Sequence, residues 1–439
     1  MKIINHFIDG KGNNSSHEIS EIFNPSTGIK SGEVIMGGSD EVYQAVKAAK
    51  NAFKLWSKSG LSLRSNLLLD ARNVYISKRD TLIEICVAEA GKTFADASAE
   101  VDRSAEILAY GAGLTSWLKT EITHNISPGI DTTETRQPIG VIACVSPFNF
   151  PILIPMLQTV MALACGNTVV VKPSEKVPSA FRLIAEEVFQ KVGFPDGVLN
   201  VLNGGSLTVE KMMDHPEISG LTFVGSTNVA RDLRAKGIQV NKRVQAFGSG
   251  KNHLLVLPDA DIDMVADAAV SAGFGAAGQR CMAVSVLVIV GDIADKLVHK
   301  ITERIPEIIV GSAHDKNVQL GPVISAKSRD RIHSFIENAE ENGAEIIVDG
   351  RQEYLDKGFT VGATVIDRVR PGMPIYDNEI FGPVLSIVRV DTYEEAMKII
   401  AGHPLGNGSA IFTRDGGAAR LFSEEVEAGM IGINVPIPL

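Results

Sequence analysis

The residue in this sequence best placed to do chemistry is a single thiol. In "FGAAGQRCMAVS" (residues 274–285), Cys281 follows a run of glycines and alanines, with nothing large beside it. A free cysteine is ordinarily an apolar filler. It becomes a nucleophile where its thiolate is held near positive charge or backbone N–H groups. Arg280 is adjacent, which by itself separates neither reading from the other.

Four further clusters each read as the end of a strand. "SPFNFP" (146–151) sets Asn149 between Phe148 and Phe150 and between two prolines. A carboxamide in so stiff and apolar a setting can donate to a developing oxyanion, or simply satisfy a turn. "VKPSE" (171–175) ends with Lys172 and Glu175, a pair able to grip a ribose or to sit in a solvated turn. "FVGST" (223–227) places Gly225 and Ser226 at a strand-to-helix junction, where free N–H groups suit a pyrophosphate. The full G-x-G-x-x-G is absent, so that signal is weak alone. "EIFGPV" (379–384) repeats the pattern, with Glu379, Phe381 and a Gly-Pro stop.

Composition narrows the classes. The chain has 439 residues, 45% hydrophobic and 21% charged, which is ordinary for a globular protein of two or three domains. A net charge of −10 argues against a nucleic-acid partner. No apolar run reaches membrane-spanning length, and "MKIINHFIDGKGNN" lacks a signal-peptide core. Four cysteines (Cys86, Cys144, Cys165 and Cys281) lack CxxC spacing, so neither a metal site nor a disulfide framework is expected and the cytoplasm is the expected home.

The elements that must position these residues follow from periodicity. "GGSDEVYQAVKAAKNAFKLWSK" (37–58) repeats Val42, Val46, Ala49 and Phe53 at helical spacing, with Ser39 and Asp40 as possible caps. Residues 60–118 continue in helical texture, and 121–140 read as strand–turn–strand. From "GVIACVSP" to "SGLTFVGS" short β-branched runs alternate with helices, and a second such pattern covers about 254–430. Parallel sheets covered on both faces are implied, with ligands at the carboxyl ends of their strands.

Taken together, the clusters carry a resemblance. From about residue 5 to the end the chain resembles the aldehyde dehydrogenase superfamily, and within it the CoA-acylating methylmalonate-semialdehyde dehydrogenases. The stretches concerned are "SPFNFP", "NTVVVKPSE", "HPEISGLTFVGS", "KRVQAFGSGKNH", "FGAAGQRCMA", "GPVISA", "EIFGPVLS" and "GINVPIP". The resemblance implies an α/β fold of two lobes with a β-rich oligomerisation arm. A Rossmann-like NAD-binding domain would take residues 1–120 and 140–246, the arm 121–139, and the catalytic domain 247–439. It implies that Cys281 is the catalytic thiol and Asn149 the oxyanion-hole amide, with Arg103 and Arg280 on the substrate carboxylate. Phe148, Lys172, Glu175, Gly225, Ser226, Glu379 and Phe381 would contact the cofactor. Glu175 favours NAD over NADP, because a carboxylate accepts from ribose hydroxyls and repels a 2′-phosphate. For Arg103 the plainer alternative is a surface helix charge. His253 and His215 read as structural and turn residues.

The implied activity is NAD-dependent oxidation of a small semialdehyde acid, malonate or methylmalonate semialdehyde, through a cysteine thioester. Small residues around Cys281 suit a sulfur that aldehyde and nicotinamide must both approach. Hydrolytic relatives activate water with a Glu in an E-L-G-G-K context, whereas "QAFGSGK" is read as placing Ala246 there. Coenzyme A is then the expected acyl acceptor, with loss of CO2, since alanine takes no proton. A hydrolytic enzyme and a truncated, inactive nucleotide-binding homologue are the alternatives. Relatives run on past "NVPIP", so a weakened homo-oligomer, dimer or tetramer, is expected of a chain ending at Leu439.

Overall fold

The computed structural model describes residues 2–15, 18–352 and 354–436. The chain divides into two compact units. One comprises Met1–Phe23, Lys30–Ala90 and Ala97–Gly248, the other Asn24–Ile29, Gly91–Asp96 and Ser249–Leu439. Among the described residues no helix is long and apolar enough to cross a membrane.

The first unit is built on a seven-stranded sheet. Its order is Arg243–Phe247, Ile218–Val224, Val141–Val145, Thr168–Lys172, Leu199–Val201, His6–Ile8 and Lys11–Asn13. The first five run parallel, and the last two join antiparallel. Thr168–Lys172 is buried along its whole length, as a central parallel strand of β-branched residues should be. Helix Ser39–Trp56 turns Val42, Ala45, Val46 and Ala49 inward. Its first turn is held by Glu41, whose carboxylate accepts the Gly38 N–H at 2.8 Å, so the cap is Gly38 rather than Ser39 or Asp40. Register matters most for function. Val145 lies opposite Lys172 and Phe223 opposite Val145, so three neighbouring strands end level with one another.

Residues Glu121–Ser127 and Ile130–Glu134 form a two-stranded antiparallel ribbon, exposed at every position. Its turn uses Gly129 at φ +75°, where a side chain would be strained.

The second unit holds another seven-stranded sheet, ordered Glu345–Val348, Thr364–Asp367, Val384–Val390, Val284–Val290, Asn252–Val256, Gly408–Phe412 and Met430–Ile433. Only Glu345–Val348 is antiparallel. Side chains alternate between two cores. Val286, Val288 and Leu255 enter one, while Leu287, Ile289 and Leu254 enter the other. Burying each such side chain contributes about 1.5–3 kcal/mol. The alternating α/β reading therefore holds in both units.

Two short segments were not foreseen in the second unit. Asn24–Ile29 joins it through the Pro25 carbonyl, which accepts from Phe359 N at 2.9 Å. Gly91–Asp96 joins it because Gly91, at φ +70°, lies so close that a Cβ would stand 2.9 Å from Pro322.

Candidate active site

In the second unit, Cys281 sits on a turn between helix Ile262–Phe274 and strand Val284–Val290. The approach is strained. Ala276 and Ala277 both adopt left-handed backbone, at φ 51° and 53°, which costs about 1–2 kcal/mol for each. Gly278 follows at φ +67°, where a Cβ would come 2.0 Å from the Gly382 carbonyl. The strain is held by polar contacts. Asp96 accepts from Ala276 N at 3.2 Å, and Gln279 Oε1 accepts from Ile324 N at 3.0 Å. The Cys281 carbonyl accepts from Asn252 Nδ2 at 2.9 Å and from Asn407 Nδ2 at 2.8 Å. Asn252 also donates to Ala283 O at 2.7 Å and accepts from Gly408 N at 2.9 Å.

The electrostatics of the thiol run against the simplest expectation. Burial pushes the Cys281 thiol up, and the Glu379 carboxylate adds to the rise, while the backbone N–H groups of Cys281 and Met282 pull the other way. The neighbouring Arg280 turns its guanidinium to Asp96, with which it forms an ion pair. Glu379 is fixed by the Gly250 N–H, which it accepts at 3.1 Å. The next residue, Lys251, is 1% exposed and donates to Ile375 O at 2.7 Å and Asn378 O at 2.8 Å. Burial brings its ammonium down to about 7. Phe381 stands at φ 55°, directly before the Gly382 that crowds Gly278.

The first unit gathers its candidates at the level strand ends. After Val145, Asn149 is buried at 8% exposure and Phe148 lies under Lys176 Nζ at 5.3 Å. The buried Glu100 carboxylate accepts from Ile152 N at 2.8 Å and Leu153 N at 2.9 Å, anchoring the helix Leu153–Ala164 that follows. After the neighbouring strand, Lys172 Nζ donates to Pro173 O and Gly204 O, both at 2.9 Å, and stands 3.5 Å from Glu175. Burial lowers the Lys172 ammonium, with Glu175 opposing. Ser226 opens helix Thr227–Gln239 with no side-chain cap of its own. These ends fit a dinucleotide lying across parallel strands.

Several expectations need revision. The Gly225 N–H is not available to a pyrophosphate, because it donates to the Phe247 carbonyl at 3.0 Å. Counted back from Lys251 along the E-L-G-G-K pattern, the glutamate position is Phe247 rather than Ala246. Neither side chain takes a proton, so the chemical conclusion stands. Arg103 lies on the exposed face of helix Phe94–Ala112, paired with Glu106 one turn ahead. His215 accepts from Glu217 N at 3.2 Å in a turn, and His253 meets the Tyr376 hydroxyl at 3.1 Å in the core. Asp96, Asn252 and Asn407 were missed. Asn252 stands inside "KNH", whereas Asp96 and Asn407 lie in stretches with no motif. No group of three or more His, Cys, Asp or Glu that could hold a metal ion occurs among the described residues.

The aldehyde dehydrogenase family model matches residues 12–439. A malonate-semialdehyde dehydrogenase of Pseudomonas aeruginosa is 40% identical over 443 residues, spanning 100% of this chain and 89% of that protein. A Dictyostelium discoideum protein is 40% identical over 438 residues, 99% of this chain and 83% of its own. It is provisionally named a methylmalonate-semialdehyde/malonate-semialdehyde dehydrogenase, acylating and mitochondrial. The crystal structure of a Sinorhizobium meliloti protein, provisionally named a methylmalonate-semialdehyde dehydrogenase and complexed with NAD, matches with a TM-score of 0.98. Identity is 40%, covering 100% of this chain and 90% of that one. Residues 437–439, which include the end of "GINVPIP" and the Leu439 on which the expectation of a weakened oligomer turned, lie outside the described residues.

Proposed function

Because the chain belongs to the aldehyde dehydrogenase family, we propose that it oxidises malonate or methylmalonate semialdehyde with NAD and passes the acyl group to coenzyme A. The observation that carries this reading is Cys281 on its small-residue turn, joined to relatives of that name and of the acylating type at 40% identity over essentially the whole chain.

In this reading the Cys281 thiolate adds to the aldehyde carbon and the Asn149 amide donates to the resulting oxyanion. NAD, when bound, supplies the hydride acceptor. Loss of hydride from the thiohemiacetal leaves a thioester on Sγ. The Cα–carboxylate bond of the acyl group breaks to release CO2, its electron pair passes into the thioester enolate, and the α-carbon takes up a proton. The coenzyme A thiol, giving up its proton to solvent, then attacks the thioester carbon, freeing the Cys281 thiolate and releasing acyl-CoA. Lys172 and Glu175 hold the adenosine ribose, with Phe148 and the Ser226 helix end beside the cofactor. Glu379 and Phe381 address the nicotinamide ribose. Arg280 holds the substrate carboxylate, and the exposed pairing of Arg103 with Glu106 gives it less support in that role.

Domain roles follow the same reading. The first unit binds NAD and the second carries the thiol. The ribbon at 121–134 serves a homo-oligomer, supported by exposed Ile122, Ile126 and Ile130. A cytoplasmic site of action accords with its four free cysteines. The deciding experiment is NADH formation from methylmalonate semialdehyde with and without coenzyme A. Sustained turnover only with coenzyme A is expected, and equal turnover without it overturns the acylating assignment.

A further inference from the structure

We infer that Asp96 sets the preference for a carboxylate-bearing aldehyde, by holding the Arg280 guanidinium in one orientation next to the thiol. The inference rests on the reading of Arg280 as the substrate-carboxylate contact. Asp96 is nearly buried, its side chain 10% exposed, and each of its oxygens has a defined task. Oδ2 accepts from Thr93 Oγ1 at 2.8 Å and from Ala276 N at 3.2 Å. Oδ1 is left to Arg280 Nη2. Thr93 is itself buried, and its hydroxyl oxygen accepts from Asp96 N at 3.2 Å, so the carboxylate cannot rotate without losing both contacts.

The guanidinium is confined on a second side. A Cβ at Gly275 would lie 2.9 Å from both Cζ and Nη1 of Arg280 and 3.1 Å from Nη2. The group therefore lies against bare backbone, where any larger residue would displace it. Among the described residues Arg280 makes no other side-chain hydrogen bond, so Nε and Nη1 remain to meet a ligand. An arginine ordinarily loses much rotamer freedom on binding a carboxylate. Here Asp96 and Gly275 have already removed that freedom, and a planar fork fixed in place recognises a carboxylate by direction as well as charge. Asp96 is thus a positioning residue. The same carboxylate steadies the left-handed Ala276, so the fork and the turn carrying Cys281 share one anchor.

The test compares kcat/KM for malonate semialdehyde with kcat/KM for propanal, in the full-length protein with NAD and coenzyme A. Asp96→Asn keeps the shape and removes the charge, and it should lower the semialdehyde-to-propanal ratio about tenfold, chiefly through KM. Thr93→Val, which leaves the charge but removes one of the two contacts on Oδ2, should lower it about threefold. Arg280→Leu, measured alongside, separates the two layers of the argument. A ratio that collapses in Arg280→Leu but is unchanged or raised in Asp96→Asn and Thr93→Val overturns the role of Asp96 alone. An unchanged ratio in Arg280→Leu overturns the carboxylate contact and this inference with it.

Discussion

The side-chain amide of Asn252 donates to the backbone carbonyl of Cys281 at 2.9 Å, joining the first residue of a central strand to the thiol's own peptide. The contact is partly buried and reinforced by bonds to Ala283 O and from Gly408 N. Asn252→Ala takes this partner from two backbone groups, the Ala283 carbonyl and the Gly408 N–H, while Asn407 still serves the Cys281 carbonyl. A loss of about 2–3 kcal/mol in stability is expected, with lower kcat than KM change would explain. Thermal unfolding read beside initial rates checks it; an unshifted melting temperature would remove Asn252 from the support of the turn.

Cys281→Ser should abolish NADH formation and leave NAD affinity nearly intact. A hydroxyl at neutral pH is a far weaker nucleophile, and losing several kcal/mol of barrier lowering means at least about a thousandfold in rate. Steady-state rates and NAD titration by fluorescence measure the two halves separately. Turnover within about tenfold of the parent would mean that the nucleophile lies elsewhere.

Replacing Glu379 with Gln should make the thiol more reactive toward iodoacetamide in the absence of substrate. The carboxylate and burial both raise the Cys281 thiol, so removing the negative charge lowers it and enlarges the thiolate fraction. At about pH 7.5 alkylation should quicken about threefold, the worth of one charge at partly screened distance. The same variant should bind NAD less well. Slower alkylation would reverse the sign assigned to Glu379.

Acid should weaken the fold through two buried histidines. Burial holds His253 to about 3 and His6 to about 4, against an ordinary value of 6.5. Both stay neutral in the folded chain, whereas the unfolded chain takes up protons below the ordinary value. Their contribution is therefore full above 6.5 and is lost as pH falls toward about 4. The urea midpoint should drop between about pH 7 and about pH 5, and it should drop less in His253→Gln. An equal drop in that variant would assign the acid sensitivity to other groups.

What the sequence disclosed depended on whether a signal was local. Val169, Val170 and Val171 in a row announce a buried strand, and the strand ends before Asn149 and at Lys172 are legible because polar groups stand directly beside apolar runs. "EIFGPV" reads as a strand end too, but Glu379 lies ahead of strand Val384–Val390 instead. The partner of Arg280 was not legible. Asp96 lies 184 positions away, in the first turn of helix Phe94–Ala112 with no motif to mark it, and only the tertiary fold brings the charges together. At Gly225 the motif marks the strand-to-helix junction but not the hydrogen bond its N–H makes there, which goes to the Phe247 carbonyl at the end of the neighbouring strand. Left-handed Ala276 and Ala277 had no forewarning either, since alanine carries no turn signal and the strain is imposed by contacts from elsewhere.

The strand Arg243–Phe247 lies at the margin of its sheet, paired only to Ile218–Val224 among the described residues, with side chains alternating between exposed and half-buried. A marginal strand can change its side chains with little penalty to the strands beyond its one neighbour. Phe247, at the glutamate position of the E-L-G-G-K pattern, is therefore among the cheaper positions to mutate in the first unit. In the proposed reaction the oxidative half would depend on a turn locked by many contacts, while the choice of acyl acceptor would hang on a sheet edge. Descent along this lineage would accordingly be expected to exchange acyl acceptors more readily than nucleophiles.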